Sequence, residues 1–152
     1  MSGIIGGAGS KSGVIGTTEL DYEEGTWTPV IKMGTTTQSA GQSDGTYTKI
    51  GKMVICNASV TSITESGTGN LSCSLPFTSA ASPSGLYSTV LVRWGSIDSS
   101  PADSFQGFIG HNGAASFEFQ LMNEGGYAGA VRNVECAGTF HLYGMSWTYT
   151  IA

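Results

Sequence analysis

Apolar and polar side chains alternate with a period of two along most of the chain after Gly25, the pattern of β-strands that bury one face. In residues 71–77, for example, the odd positions are apolar and alternate with Ser72, Ser74 and Pro76. No window of ten or more residues shows a convincing helical period of 3.6. The chain is therefore predicted to be all-β.

Strands are predicted where this alternation, or a run of β-forming residues, is bounded by turn residues. They are Trp27–Ile31, Thr46–Lys49, Met53–Thr64, Leu71–Phe77 and Val90–Trp94. Because proline cannot donate a ladder hydrogen bond, Pro29 makes the first of them an edge or strand-start segment. We expect the second to be entered through an Asp44-Gly45 turn. In the third, the even positions from 54 to 60 form the apolar face.

A hairpin is predicted between Phe105–Ile109 and Ser116–Met122. Asn112-Gly113 lies between these segments, and both of its residues tolerate positive φ. The second strand is expected to bury Phe117, Phe119 and Leu121.

The last segment, Thr139–Ile151, is predicted to be the longest strand and to contain a bulge. Phe140 and Leu142 lie on one face, whereas the apolar positions from 143 onward lie on the other. A bulge near Gly144 moves the following side chains to the opposite face.

Together these segments predict seven to nine short strands in an antiparallel β-sandwich over residues 21–152, with a jelly roll as the preferred version. Residues 1–20 are predicted to be an extended, Gly-rich N-terminal arm. This arm carries two apolar pairs in an imperfect repeat offset by ten residues. A segment this short cannot bury these pairs against itself. We therefore expect docking on a neighbouring subunit through Ile4, Ile5, Lys11, Val14 and Ile15, with a disordered leader as the alternative.

Composition narrows the possible functions. Only 11% of residues are charged and the net charge is −5, whereas about 25% are charged in ordinary soluble domains. An acidic chain with six Lys and Arg residues cannot neutralise many phosphates, so nucleic acid is not an expected partner. The sequence contains no apolar run that could span a membrane and no secretory signal pattern. Low charge favours a surface that is glycosylated, packed against neighbours or solvated by hydroxyls.

The three cysteines are predicted to be small buried hydrophobes. If Cys56 and Cys73 lie on the two strands of a hairpin around Glu65–Asn70, their thiols are about 20 Å apart, beyond disulfide reach. Cys136 is then left over, and no CxxC pair suggests zinc.

Several patterns resemble reactive or metal sites, and each has a simpler explanation. Gly6–Ser12 contains Lys11 but lacks the glycine before the lysine, the preceding strand and the following helix of a phosphate loop. The acidic residues at positions 19, 21, 23 and 24 could hold Ca²⁺, but a solvated turn or a contact with basic groups of a neighbouring protein is favoured.

No catalytic constellation is predicted. His111 and His141 have serines nearby only because serine is abundant, and a GxSxG turn is absent. The spacing of the carboxylates Asp98, Asp103, Glu118 and Glu124 does not single out a pair for glycoside cleavage. The chain is therefore expected to be neither an enzyme nor a cofactor or metal protein. The tryptophans and tyrosines are assigned to core and subunit packing, with sugar stacking as the alternative.

Two segments resemble a known module. Leu20-Asp21-Tyr22-Glu23-Glu24-Gly25-Thr26-Trp27-Thr28-Pro29-Val30, followed by Gly45-Thr46-Tyr47-Thr48-Lys49-Ile50-Gly51-Lys52-Met53-Val54, is similar to a "DYEEGTWTP … YTKIG" domain of tailed bacteriophages, in particular those of aquatic and cyanobacterial hosts. The resemblance starts near Leu20 and is specific in the first third of the domain. The motif residues are Asp21, Tyr22, Glu23, Glu24, Gly25, Trp27, Pro29, Tyr47 and Gly51.

This resemblance implies a virion structural protein. Such modules occur in tail fibres, where they follow a long chain, and in small capsid-decorating proteins. Because only a short arm precedes the module here, the resemblance favours a homotrimeric decoration (cement) protein on the capsid surface, with the major capsid protein as its partner and assembly in the host cytoplasm. A tail-fibre or tail-tip domain that binds host surface glycans is the alternative.

Overall fold

The computed structural model describes residues 21–81, 87–97, 104–110, 112–123, 126–132, 135–136 and 138–152, apart from the side chains of 123 and 126–128. The predicted arm, residues 1–20, lies outside the described residues. So do His111 and the carboxylates Asp98, Asp103 and Glu124, as well as Glu19 of the acidic cluster.

The described part of the chain contains strands and no helix, as the alternating pattern predicted. The strands are β1 (Tyr22–Trp27), β2 (Ile31–Met33), β3 (Thr36–Thr37), β4 (Gln42–Ile50), β5 (Met53–Thr64), β6 (Leu71–Ser74), β7 (Tyr87–Gly95), β8 (Ser104–Gly110), β9 (Ser116–Asn123), β10 (Gly126–Ala130) and β11 (Thr139–Thr150).

The strands form one curled antiparallel sheet in the order β1-β4-β5-β11-β7-β8-β9-β6-β2-β3, with β10 paired to β9. Strand β7 is the corner of this sheet. Its first residues, Tyr87–Val90, pair with β8, and its later residues, Leu91–Gly95, pair with β11. The chain thus has a first half (β1, β4, β5, β11) and a second half (β8, β9, β6, β2, β3, with β10) joined through one strand.

The two halves enclose one apolar core. Trp147 of β11 meets the ring of Phe117 on β9 at a centroid distance of 5.3 Å. Phe105 and Phe119 stack at 5.1 Å within the second half. Burying each large apolar side chain contributes roughly 1.5–3 kcal/mol, so this core stabilises the curled sheet. Its description as a sandwich or a jelly roll stays a prediction.

Three features of the sequence pattern are confirmed. The even positions of β5 from Val54 to Val60 are buried. Strands β8 and β9 pair as the predicted hairpin, with Phe108 opposite Glu118. The register of β11 shifts between Leu142 and Met145 on β5 and between Leu142 and Gly144 on β7, at the predicted bulge.

Other strand predictions were wrong. Trp27–Ile31 is not a strand, because β1 ends at Trp27 and β2 begins at Ile31, with Pro29 in the connection between the two halves. Asp44-Gly45 is not a turn, since both residues lie within β4. The described part has eleven strands rather than seven to nine, because several are very short.

The predicted hairpin of Cys56 and Cys73 was also wrong. Strand β5 pairs with β4 and β11, whereas β6 pairs with β2 and β9 in the other half. The two cysteines therefore enter the same core from opposite halves, rather than lying far apart along one hairpin. Both are free and buried, and so is Cys136, as predicted for small hydrophobes.

Candidate docking surface

The two segments that carry the motif form one antiparallel ladder. In β1 and β4, Glu23 lies opposite Lys49, Gly25 opposite Tyr47, and Trp27 opposite Gly45. The motif residues are separated by about twenty positions in the sequence, yet they are direct neighbours in the sheet.

Two aromatic rings of this ladder lie over the glycines opposite them. A Cβ on Gly25 would lie 2.7 Å from Cζ of Tyr47, and a Cβ on Gly45 would lie 2.7 Å from Cε2 of Trp27. Glycine is therefore needed at both positions because the ring occupies the space of its side chain. From there Trp27 packs edge-on against Trp147 at 6.1 Å, and Tyr47 against Phe77 at 4.9 Å.

The acidic part of the motif binds a lysine of the same chain. Lys49 Nζ donates to Asp21 Oδ2 at 2.9 Å and to Glu23 Oε2 at 3.3 Å, and the Tyr47 hydroxyl donates to Glu23 Oε1 at 2.6 Å. The hydrogen bond from Tyr47 and the one from Lys49 lower the pKa of Glu23. Hydrogen bonds to Asp21 and Glu23 raise the pKa of Lys49, and the hydrogen bond to Glu23 raises that of Tyr47.

The prediction of a solvated turn was therefore wrong for Glu23, which lies in β1, and both Asp21 and Glu23 pair with Lys49 on the adjacent strand. A contact of these carboxylates with basic groups of a neighbouring protein stays a prediction. Glu24 points to the other face of β1, where its carboxylate accepts a hydrogen bond from the Tyr22 hydroxyl.

Two further motif residues fix the ends of this ladder. Gly51 has φ +57° in the turn between β4 and β5, a conformation that favours glycine. Its N–H donates to the carbonyl of Asp21 at 2.6 Å. At the other end, the buried Pro29 accepts a hydrogen bond from Ser43 Oγ through its carbonyl at 2.5 Å.

The first half of the sheet presents a broad outer face opposite the core. The name outer face is used below for the residues of β1, β4, β5, β11 and the second part of β7 whose side chains point away from the core. Its middle is a band of hydroxyl and amide side chains: Thr26, Thr46, Thr48, Asn57, Ser146 and Thr148. Among the described strand residues of this face, the charged ones are Glu24, Asp44 and Arg93.

Exposed apolar side chains lie at two places on the outer face. Met53 and Ile55 of β5 are 41% and 36% exposed, and Tyr22 is 55% exposed. Tyr22 lies in the same ladder rung as Met53, through Ile50 of β4. On β7, the last strand of this face, Leu91 is 68% exposed and borders an open cleft of about 740 Å³.

A stack of three planar side chains lies beside this cleft. The guanidinium of Arg93 lies 5.0 Å from the centroid of Tyr143, and Tyr143 stacks on His141 at 4.9 Å with an interplanar angle of 7°. His141 Nδ1 accepts a hydrogen bond from the backbone N–H of Ser62 at 3.0 Å. The sequence analysis missed this stack because its members come from two strands that are adjacent only in the folded sheet, although the i, i+2 spacing of His141 and Tyr143 within one strand was visible.

The described residues that the sequence analysis considered for catalysis or metal binding have structural roles instead. His141 is hydrogen-bonded to a backbone amide, and Glu118 accepts a hydrogen bond from Asn70 Nδ2 at 3.3 Å. Burial raises the pKa of Cys56 and of Cys136 to about 12, and raises that of Cys73 further, with a smaller contribution from Cys56. Within the described ranges, no group of three or more His, Cys, Asp or Glu residues could hold a metal ion.

The aromatic side chains divide between the core and the surface. Trp147 and Tyr149 are buried, and Trp27, Trp94 and Tyr47 pack against the core, in agreement with the packing role predicted for most of them. Among the aromatic side chains that the structure describes, Tyr22, Tyr87 and Tyr143 are exposed.

No helix in the described part of the chain has the length and apolar character to cross a membrane. In comparisons with known proteins, no family model matches this chain, and neither a curated protein nor a solved structure matches it.

Proposed function

We propose that this chain is a virion structural protein of a tailed bacteriophage, a homotrimeric decoration protein that binds the outside of the capsid and stabilises the shell. The observation that carries this proposal is the β1–β4 ladder. The residues that resemble the phage module meet there in register, and they are engaged in packing and hydrogen bonds rather than arranged around a reactive group.

The outer face supports a docking role for the domain. It spans five strands, has few charges and has exposed apolar side chains at two places. Protein interfaces are depleted of charge at their centre and enriched in aromatic residues, methionine and arginine. The outer face has exposed residues of these types in Tyr22, Met53, Arg93 and Tyr143.

The mechanism follows from mass action. A protein that binds only the assembled shell, and bridges adjacent major-capsid subunits, shifts the equilibrium toward the assembled state. In this role the chain needs no cofactor and no catalytic residue. Three copies that bind as one trimer have a higher avidity than a single copy.

The test is the location and the effect of the protein on the particle. Particles that lack this protein are prepared, and the purified chain is added back. We expect labelling with gold-tagged antibody over the whole shell and a higher temperature of genome release after add-back. Labelling confined to the neck or the tail would overturn the decoration role.

A tail-fibre or tail-tip domain that binds host glycans is the second candidate. Tyr87 of β7 favours it, because this ring is 67% exposed and lines a cleft with Phe108 and Gln120, and exposed aromatic rings bind sugars by stacking. Binding of the purified, labelled chain to host cells, with loss of that binding in Tyr87→Ala, would support this candidate. Binding to capsids alone would support decoration.

A further inference from the structure

A cleft lies on the solvent side of the second half, where β7, β8 and β9 run next to one another. We call it the Tyr87 cleft, and its lining includes Tyr87, Phe108, Gly110, Glu118 and Gln120. Its volume is about 380 Å³, within the range of roughly 300–1,000 Å³ that is usual for sites of small ligands. A smaller cleft of about 270 Å³ shares Tyr87, Phe108 and Gln120 with it.

Two aromatic rings of the Tyr87 cleft face solvent rather than the core. Strand β8 alternates buried and partly exposed positions, and Phe108 occupies a partly exposed one between the buried Gly107 and Ile109. Tyr87 is 67% exposed and lies opposite Gly110, two residues from Phe108. The two rings are therefore diagonal neighbours on one face of the β7–β8 ladder. Together they offer the apolar stacking surface that the C–H face of a sugar ring requires.

The missing side chain of Gly110 leaves an opening beside Tyr87. A Cβ on Gly110 would lie 3.4 Å from Oδ1 of Asn112, so the carboxamide of Asn112 borders this opening. A carboxamide carries both a hydrogen-bond acceptor and two donors, which is what a sugar hydroxyl needs from its partner. A ring stacked on Tyr87 can thus meet a polar group at its edge.

Strand β9 supplies the polar wall of the cleft. Glu118 lies opposite Phe108, and Gln120 lies two residues further along the same face. Asn70 Nδ2 donates to Glu118 Oε2 at 3.3 Å, and a carboxylate with about four lone-pair sites can accept further hydrogen bonds from hydroxyl groups. Among the described residues that line the cleft, Glu118 is the charged one. Its negative charge repels an acidic sugar and leaves a neutral one unaffected.

We propose that the Tyr87 cleft binds a neutral pyranose unit of a polysaccharide. The sugar ring stacks on Tyr87 and Phe108, and its hydroxyl groups form hydrogen bonds with Asn112, Glu118 and Gln120. The inference rests on the ligand class of the second candidate function, and it adds the charge of the sugar and the residues that hold it. It applies to a chain on the shell as well as on the tail, because the cleft belongs to the second half and the proposed capsid-docking surface to the first.

A nuclear magnetic resonance titration of the isotope-labelled chain tests the cleft. The neutral probes are the methyl pyranosides of glucose, galactose, mannose and N-acetylglucosamine, and methyl glucuronide is the acidic counterpart of the first. We expect at least one neutral probe to shift the backbone amide signals of Gly110 and Glu118, and the glucuronide to bind roughly tenfold more weakly than methyl glucoside. Absence of shifts with every neutral probe, or shifts confined to the outer face, would overturn the proposal.

Substitutions assign the binding to the cleft. Tyr87→Ala should weaken binding of the neutral probe by about tenfold or more, since a single aromatic ring can carry much of the energy of a small site, and Tyr87→Phe should retain it. Tyr143→Ala removes an exposed ring of the outer face and is the matched control, with unchanged binding. Glu118→Gln should reduce the difference between glucoside and glucuronide, which a purely structural role of Glu118 would not do. Unchanged far-ultraviolet circular dichroism identifies the variants that remain folded, and a folded Tyr87→Ala protein with wild-type affinity contradicts the proposal.

The outcomes separate this inference from the proposed function. If the protein labels the whole shell but binds no neutral probe, the sugar site is wrong and the decoration role stands. If a neutral probe binds in the Tyr87 cleft while the protein labels only the neck or the tail, the sugar site is correct and the decoration role is removed. Binding of the probe without binding to host cells leaves the sugar site correct and removes the host-recognition role.

Discussion

The indole ring of Trp27 lies over the backbone of Gly45, directly opposite it on the neighbouring strand, and fills the space that a side chain at position 45 would occupy. The ring of Tyr47 has the same relation to Gly25. In the β1–β4 ladder, each strand thus contributes one aromatic ring that covers a glycine of the other strand. Both rings point into the core, so the ladder is anchored to it.

We predict that Gly45→Ala destabilises the domain by about 1–3 kcal/mol, because the added methyl group forces the Trp27 ring out of its position. The measurement is the free energy of unfolding in urea. Gly144→Ala is the matched control, since a Cβ there meets no atom within 4 Å. It should change stability by less than about 0.5 kcal/mol. Equal effects of the two substitutions would contradict the role of the Trp27–Gly45 contact.

Ser62 gives a second prediction, on backbone strain. This residue has φ 51° within β5, next to the register shift between β5 and β11, and its N–H donates to His141. A β-branched residue is strongly disfavoured in the left-handed region, and glycine is not. Ser62→Val should therefore cost more than about 1 kcal/mol, whereas Ser62→Gly should be close to neutral. Thermal melts of both variants give the answer, and a stable Ser62→Val protein would show that the strain is absent in solution.

The Lys49 cluster predicts how stability depends on pH. The pKa of Glu23 is lowered in the folded state from its ordinary value of 4.5. Its contribution is therefore present above about pH 4.5 and is lost as the pH falls through the lower folded pKa. The pKa of Lys49 is raised from 10.5, so its contribution is present below that pH and is lost as the pH rises through the folded pKa.

The stability of the Glu23→Gln protein should therefore fall less steeply with decreasing pH than that of the wild-type protein. The urea midpoint is measured between pH 3 and pH 7 for both proteins, and the difference between them should shrink as the pH falls. Glu118→Gln, on β9 in the second half, reports the general effect of removing one negative charge. Parallel curves for the wild-type and Glu23→Gln proteins would mean that the cluster does not form.

The cysteines predict a chemical property of the folded protein. A thiol reacts as its thiolate, and burial raises the pKa of Cys56 and Cys136 to about 12 and that of Cys73 further. We expect almost no reaction with a thiol-specific reagent at pH 8 in native buffer, and three equivalents after denaturation in guanidinium. Rapid labelling of one thiol in the native protein would indicate that this part of the core opens.

Local alternation was enough to predict the all-β class, the buried face of β5, the β8–β9 hairpin and the bulge of β11. These features depend on neighbours within a strand or across a short turn. Pairings between distant segments were not predictable in this way. Gly45 was assigned to a turn because glycine after aspartate is typical of turns, and only the ring of Trp27 across the ladder explains why glycine lies within a strand there.

The same limit applies to the candidate surface. The residues of the outer face could be assigned to exposed positions strand by strand. Their grouping depends on the strand order β1-β4-β5-β11-β7, and this order cannot be read from the alternation within each strand. Cys56 and Cys73 illustrate the point, because consecutive strands were taken to pair when they belong to different halves. The Arg93–Tyr143 contact likewise exists only because β7 lies beside β11.

Strand β7 makes the domain a single mechanical unit. Its first residues are hydrogen-bonded to one half of the sheet and its later residues to the other, with Val90 fully buried near the changeover. Neither half can detach without breaking a ladder of β7 and exposing the shared core. Unfolding should therefore occur in one cooperative step without a half-folded species, and a load applied to one half is transmitted through this strand to the other.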